Sequence, residues 1–182
     1  MEQKRKPIYT IAECAVLIAL AVAASFVEIK IGALGGSVDL VMVPLFIICY
    51  RSGAKYGIAS GLVYGLLCVL VGGKMGYGLP SILLDYVLAY GACGVAGFFK
   101  GKSAFIEVAA LCGCLARFAV HFISGITIYA ISTSTEVAGV VTSNAWLYSL
   151  IYNGLYMLPN TVLAVVVMSL LRFVLNKLPY RE

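Results

Sequence analysis

The stretch LARFAVHFISGITIY, residues Leu115 to Tyr129, decides the fold. It belongs to an apolar run of the length that crosses a hydrocarbon core, roughly 20 residues for about 30 Å. Yet it carries Arg117 and His121, the chain's one histidine. Arg117, His121, Gly125 and Tyr129 fall at every fourth position, so on a helix they form one slowly drifting stripe, flanked by Ser124. A charged group facing lipid costs about 3 kcal/mol or more. The stripe therefore predicts a helix whose polar face looks into a bundle.

The rest of the chain agrees. Its 182 residues are 62% hydrophobic and only 12% charged, with a mean hydropathy of +1.01. Soluble domains carry about 25% charged residues. The composition predicts an all-α integral membrane protein, a compact bundle of six transmembrane helices. The spans read as 8–27, 38–51, 57–73, 80–99, 104–131 and 146–174. The second is short and contains Pro44, which predicts a tilted, broken or partly protein-buried helix. Connections are short and no internal repeat is visible. One domain therefore covers 1–182, with short tails at about 1–7 and 175–182.

Basic residues flanking spans stay on the cytoplasmic side. With the N-terminus inside, the inner segments hold Lys4, Arg5, Lys6, Arg51, Lys55, Lys100, Lys102, Arg172, Lys177 and Arg181. The outer segments hold only Lys30 and Lys74. Both termini are expected in the cytoplasm, and the net charge of +5 records topology rather than nucleic-acid binding. The basic start and AVA of the first span resemble a signal peptide, but its length and the spans that follow favour an uncleaved helix. The cysteines at 14, 49, 68, 93, 112 and 114 all fall in spans with no metal-type spacing, which suits reduced packing residues.

Small residues are regularly spaced. Gly53, Gly57, Gly61 and Gly65 clear one face of the third span, with a shorter set at Gly91, Gly94 and Gly97 in the fourth. Internal helix packing is the expected use. Ala15, Ala19 and Ala23 form a similar stripe on the first span, which serves either internal packing or docking of a partner helix; spacing alone favours packing. AGFFKGKS, residues 96–103, satisfies a loose phosphate-loop pattern. It sits at a membrane helix end rather than between a strand and a helix, so ATP binding by that route is excluded.

The intramembrane ionisable residues are the functional candidates. Asp85, Arg117 and His121 are the clearest; Glu13 and Glu107 lie nearer the cytoplasmic ends and can pair or snorkel there. Asp85 and Tyr86 lie just inside the outer boundary of the fourth span. Tyr148, Tyr152, Asn153 and Tyr156 occupy the first turns of the last. An acid, a histidine, an amide and several tyrosines at one depth suit a small aromatic, polar, cationic ligand. Taken singly, each has a plainer use. Asp85 can neutralise Arg117, the tyrosines can form an interfacial belt, and Asn153 can tie two helices. Their clustering on three helices favours a cavity. No catalytic arrangement is present, so an enzyme is not expected. A proton-coupled secondary transporter remains a second reading, since Asp and His can relay protons.

Four segments together resemble a known family: GGSVDLVMVPLFIICYRSGAKYGIASGLVYGL, LLDYVLAYGACGVAGFFKG, LARFAVHFISGITIY and AWLYSLIYNGLYMLP. They are similar to the ThiT (YuaJ-type) thiamine-specific S components of energy-coupling factor (ECF) transporters, over roughly residues 8–175. The ordered set L-D-Y, R-x3-H-x3-G and Y-x4-N carries the specificity. The resemblance implies a high-affinity thiamine-capture subunit in the plasma membrane, without ATPase or cofactor. Its implied partners are a transmembrane coupling subunit and two cytoplasmic ATP-binding subunits. It assigns docking to Ala15 and Ala19, reversing the reading from spacing. It matches Asp85 to an acidic position that binds the aminopyrimidine, where a longer glutamate can occur. His121, Tyr148 and Asn153 match other pocket positions, with Tyr86, Arg117 and Gly125 lining them. Tyr129 stands where a tryptophan can stack on the thiazolium, and residues 29–39 correspond to an outer loop that closes the pocket. These departures leave room for an S component specific for another vitamin or a thiamine precursor.

Overall fold

The computed structural model describes residues 7–31, 36–72, 78–128 and 134–178. Helix α1 covers Pro7–Ala24 and begins on a proline, whose missing N–H has no intrahelical partner there in any case. Helix α2 is Met42–Ser52, and Gly53 turns the chain directly into α3, Ala54–Gly72. Helix α4 runs over Leu79–Phe99, α5 over Ser103–Thr127 and α6 over Ala145–Leu175. Among the described residues, α1, α3, α4, α5 and α6 are long and apolar enough to cross a membrane. The chain is mostly helical, as expected.

Helix α2 is unbroken. Pro44 lies in its first turn, where no backbone donor is lost, so the proline neither kinks nor splits it. Eight of its eleven residues are buried. It is a protein-covered helix at the centre of the bundle, shared by two apolar clusters. One joins it to α4, α5 and α6 through residues such as Phe46, Ile106 and Met168. The other joins it to α1, α3 and α4 through Cys14, Leu45, Tyr64 and Tyr90.

The glycine stripes are the seam between α3 and α4. A Cβ on Gly61 would fall onto the Tyr90 carbonyl, one on Gly65 onto Tyr86, and one on Gly94 onto the Ile58 backbone. Helix α4 itself changes winding along its length. It is π-helical over Ile82–Leu88, makes one α turn at Ala89–Ala92, and tightens to a 3-10 helix over Cys93–Phe99. A 3-10 helix has three residues per turn, so Gly91, Gly94 and Gly97, spaced by three, line up along one edge. That edge meets the four-residue spacing of α3. The difference in glycine period thus records a difference in helix type.

Two ion pairs close the end where α1 begins and α6 finishes. Arg51 on α2 pairs with Glu13 on α1, and Arg172 on α6 pairs with Glu107 on α5. The opposite end carries two short hairpins absent from the all-helical expectation. Strands β1 (Ile29–Ile31) and β2 (Gly36–Val38) pair antiparallel, as do β3 (Thr135–Val137) and β4 (Val140–Thr142). The second turns through Ala138 and Gly139, both at positive φ, which matches the twist of a two-residue hairpin turn.

The first hairpin is fastened to α6. Asn160 donates from Nδ2 to the Ser37 carbonyl (2.7 Å) and accepts at Oδ1 from the Asp39 amide (3.1 Å). The Tyr156 ring fills the space beside Gly36. Asn160→Leu is expected to free this anchor at a cost of about 1–2 kcal/mol. Hydrogen exchange at the Asp39 amide should then rise about ten-fold.

Candidate functional site

At the hairpin end, α4, α5 and α6 each contribute polar side chains to one buried cluster. The wide π-helical turn of α4 presents Asp85, with Ser81 one turn before it. Ser81 is fully buried and donates from Oγ to Asp85 Oδ2 at 2.8 Å. Asp85 Oδ1 lies 3.4 Å from His121 Nδ1. That hydrogen bond selects the tautomer with the proton on Nδ1, leaving Nε2 as the free end of the ring. Nε2 is buried and has no hydrogen-bond partner.

Asp85 does not neutralise Arg117. Arg117 lies one turn along α5 from His121, is 6% exposed, and donates from Nη2 to the Tyr90 hydroxyl at 3.0 Å. Its guanidinium carbon sits 4.1 Å from the Tyr90 ring centroid. Tyr90 packs edge-on against Tyr64 at 4.5 Å. The acid of α4 thus serves the histidine, and the arginine is held by an aromatic ring.

Helix α6 forms the third wall. Asn153 is buried and fully engaged. Its Nδ2 donates to the Ser149 carbonyl (2.9 Å), to Ser149 Oγ (3.1 Å) and to the His121 carbonyl (3.3 Å), while Oδ1 accepts from the Tyr156 hydroxyl (2.7 Å). Asn153 is therefore an interhelical tie that fixes the backbone at His121. Gly125 makes the close approach of α5 and α6 possible, since a Cβ there would strike Ser149 and come within 3.2 Å of Asn153 Nδ2. Tyr156 meets the His121 ring edge-on at 5.8 Å. Tyr148 and Tyr152 stack at 6.1 Å with rings 10° from parallel, and Tyr152 meets Tyr156 at 5.9 Å. The tyrosines form a continuous aromatic run from the first turn of α6 to the histidine.

Of the residues expected from sequence, Asp85, His121, Gly125 and Asn153 are joined by direct contacts, Arg117 lies next to them, and Tyr148 enters through the tyrosine run. Tyr86 is half-buried and packs against the cluster shared by α1, α2 and α3. Tyr129 lies outside the described residues. Ala15 and Ala19 are exposed on α1, well apart from the cluster. Ser81, Tyr90, Ser149 and Asn160 escaped the sequence reading. Ser81 stands four residues before Asp85, and Asn160 continues the run Asn153, Tyr156 at helical spacing. Tyr90 gave no such signal, because its partner Arg117 is on another helix, 27 positions away in sequence.

The cluster has the chemistry of binding. Among the described residues no group of three His, Cys, Asp or Glu side chains is placed to hold a metal. The apolar helices mark a multi-pass membrane protein, and one acid, one imidazole with an unbonded nitrogen and a tyrosine run give the cluster the composition of a small-solute pocket.

Comparison with known proteins specifies the class. Residues 11–179 match the family described as thiamine transporter protein (Thia_YuaJ). The thiamine transporter ThiT of Bacillus subtilis is 35% identical over 150 residues, covering 75% of each chain. The thiamine transporter ThiT of Lacticaseibacillus paracasei is 26% identical over 185 residues, covering 93% of this chain and 89% of that one. The solved structure of ThiT from Listeria monocytogenes superposes with a TM-score of 0.79 at 24% identity, over 93% of this chain and 96% of that one, and so shares the fold. The chain belongs to the Thia_YuaJ thiamine transporter family. It is a transport protein and not an enzyme.

Proposed function

We propose that this chain captures thiamine as the substrate-binding subunit of an ECF-type importer. The single observation that carries the reading is the Asp85–His121 pair, buried at the hairpin end beside the tyrosine run. Thiamine offers an aminopyrimidine, with donors and acceptors along one edge, and a cationic thiazolium. Asp85 and His121 supply the acid and the acceptor for the first. Tyr148, Tyr152 and Tyr156 supply ring faces for the second, since a cation over an aromatic face gains about 0.5–2 kcal/mol. Asn153 and Gly125 keep α5 and α6 close enough for these groups to converge, Arg117 and Tyr86 border the site, and Tyr129 is assigned to it by family resemblance.

In this reading the bundle crosses the plasma membrane six times, with α2 as the protein-covered span and both termini in the cytoplasm. The hairpin end then faces outward and receives the vitamin. Import is then driven by a transmembrane coupling subunit and two cytoplasmic ATP-binding subunits, the partners that the family resemblance implies. Ala15 and Ala19 lie on the exposed face of α1, where small side chains allow another helix to approach closely.

The test is uptake of labelled thiamine by cells expressing this chain with and without the ATP-binding subunits. Uptake is expected only with them. Uptake by the chain alone in proteoliposomes under a pH gradient would instead establish a secondary transporter. Ala15→Trp should leave thiamine affinity within about two-fold while abolishing co-purification with the coupling subunit, because only docking requires the small residue.

A further inference from the structure

The mechanism above leaves Arg117 with more donors than the structure employs. Its Nη2 is held by Tyr90, but Nε and Nη1 are buried and without hydrogen-bond partners. No described carboxylate forms an ion pair with it: Glu13 pairs with Arg51, Asp85 with His121 and Glu107 with Arg172. Asp39 caps α2 through the Val41 amide and contributes its charge only from farther away. A cationic group with orphaned donors thus lies against the Tyr90 ring, one turn along α5 from His121.

Buried cations are retained when they are paired, because an uncompensated charge in a low-dielectric interior is strongly unfavourable. The imbalance grows when thiamine binds. This step rests on the thiamine reading above: the thiazolium and Arg117 are two cations facing one nearby carboxylate, Asp85. We propose that Arg117, through Nε and Nη1, binds a small monovalent anion of halide size at the floor of the site, and that this anion and thiamine favour each other's binding. Arg117 suits the role, since its guanidinium stays charged and its fork of N–H groups is held in place by stacking on Tyr90. Reciprocity follows from linkage: if the anion raises thiamine affinity, thiamine raises anion affinity by the same factor.

The experiment is a thiamine titration of the purified protein at fixed ionic strength, with chloride replaced stepwise by gluconate. The dissociation constant is expected to rise about ten-fold, a coupling typical of linked sites. Arg117→Met should bind thiamine more weakly and lose the halide dependence. Bromide diffused into crystals of the thiamine complex should give an anomalous peak against Arg117 Nε and Nη1. A third arm titrates thiamine monophosphate. Tighter binding than thiamine, with no halide dependence, assigns the anion to the ligand's own phosphate. Thiamine affinity independent of chloride in the unsubstituted protein, with no bromide peak at Arg117, overturns the proposal even if Arg117→Met does not fold. Failure to bind thiamine at all overturns instead the function on which the proposal rests.

Discussion

Asp85→Ala is expected to weaken thiamine binding by about 100-fold or more while the protein remains folded. Removing one member of a buried charged hydrogen-bonded pair costs about 3 kcal/mol, and each 1.4 kcal/mol is a factor of about ten. Two protein groups lose their acceptor in this variant, the Ser81 hydroxyl and the His121 Nδ1–H. The imidazole is then free to change tautomer, and the ligand loses the nearby negative charge. Asp85→Asn keeps an acceptor oxygen and should fall between the two. Calorimetric titration measures the affinity, and thermal unfolding in detergent shows that the fold persists. An affinity within three-fold of the original would remove Asp85 from the site.

The second large effect concerns the fold. Gly61→Val is expected to destabilise the protein by about 3 kcal/mol or more, at the upper end for overpacking, because the added atoms meet the backbone rather than a movable side chain. The obstruction is the Tyr90 carbonyl. Separating α3 from α4 there displaces Tyr90, and with it the ring that holds Arg117. Binding and stability should therefore fall together, measured by thermal unfolding and by the yield of monodisperse protein. Gly154→Ala is the matched comparison. Nothing lies within 4 Å of a Cβ at Gly154, so the helix propensity of alanine should stabilise the protein by up to about 1 kcal/mol.

Much of this was legible in the sequence, for physical reasons that can be named. A stripe at every fourth position on an apolar helix must face inward, and Arg117 and His121 do. Glycines at regular spacing must serve a close helix approach, and those of α3 and α4 do. Glu13 and Glu107, read as residues able to pair near one end, each found an arginine there. Pairing across helices was harder to read. Depth alone allowed Asp85 to neutralise Arg117, whereas its carboxylate, on the π-helical part of α4, meets His121 instead. The hairpins were missed because three-residue strands are too short to show alternation against an apolar background. Asn160 was missed because its partners are backbone groups of the first hairpin, more than a hundred positions away in sequence. Asn153 had two readings, a pocket contact and a tie between helices, and its amide bonds to Ser149 and to the His121 carbonyl, as the second requires.

The central claim is that the cluster of Asp85, His121 and the α6 tyrosines holds thiamine. Calorimetric titration of the purified protein with thiamine, repeated with His121→Ala, tests it most directly. The account predicts one-to-one binding well below micromolar concentration, lost or greatly weakened in the variant. No heat of binding at micromolar thiamine, or equal affinity in the two proteins, would contradict it.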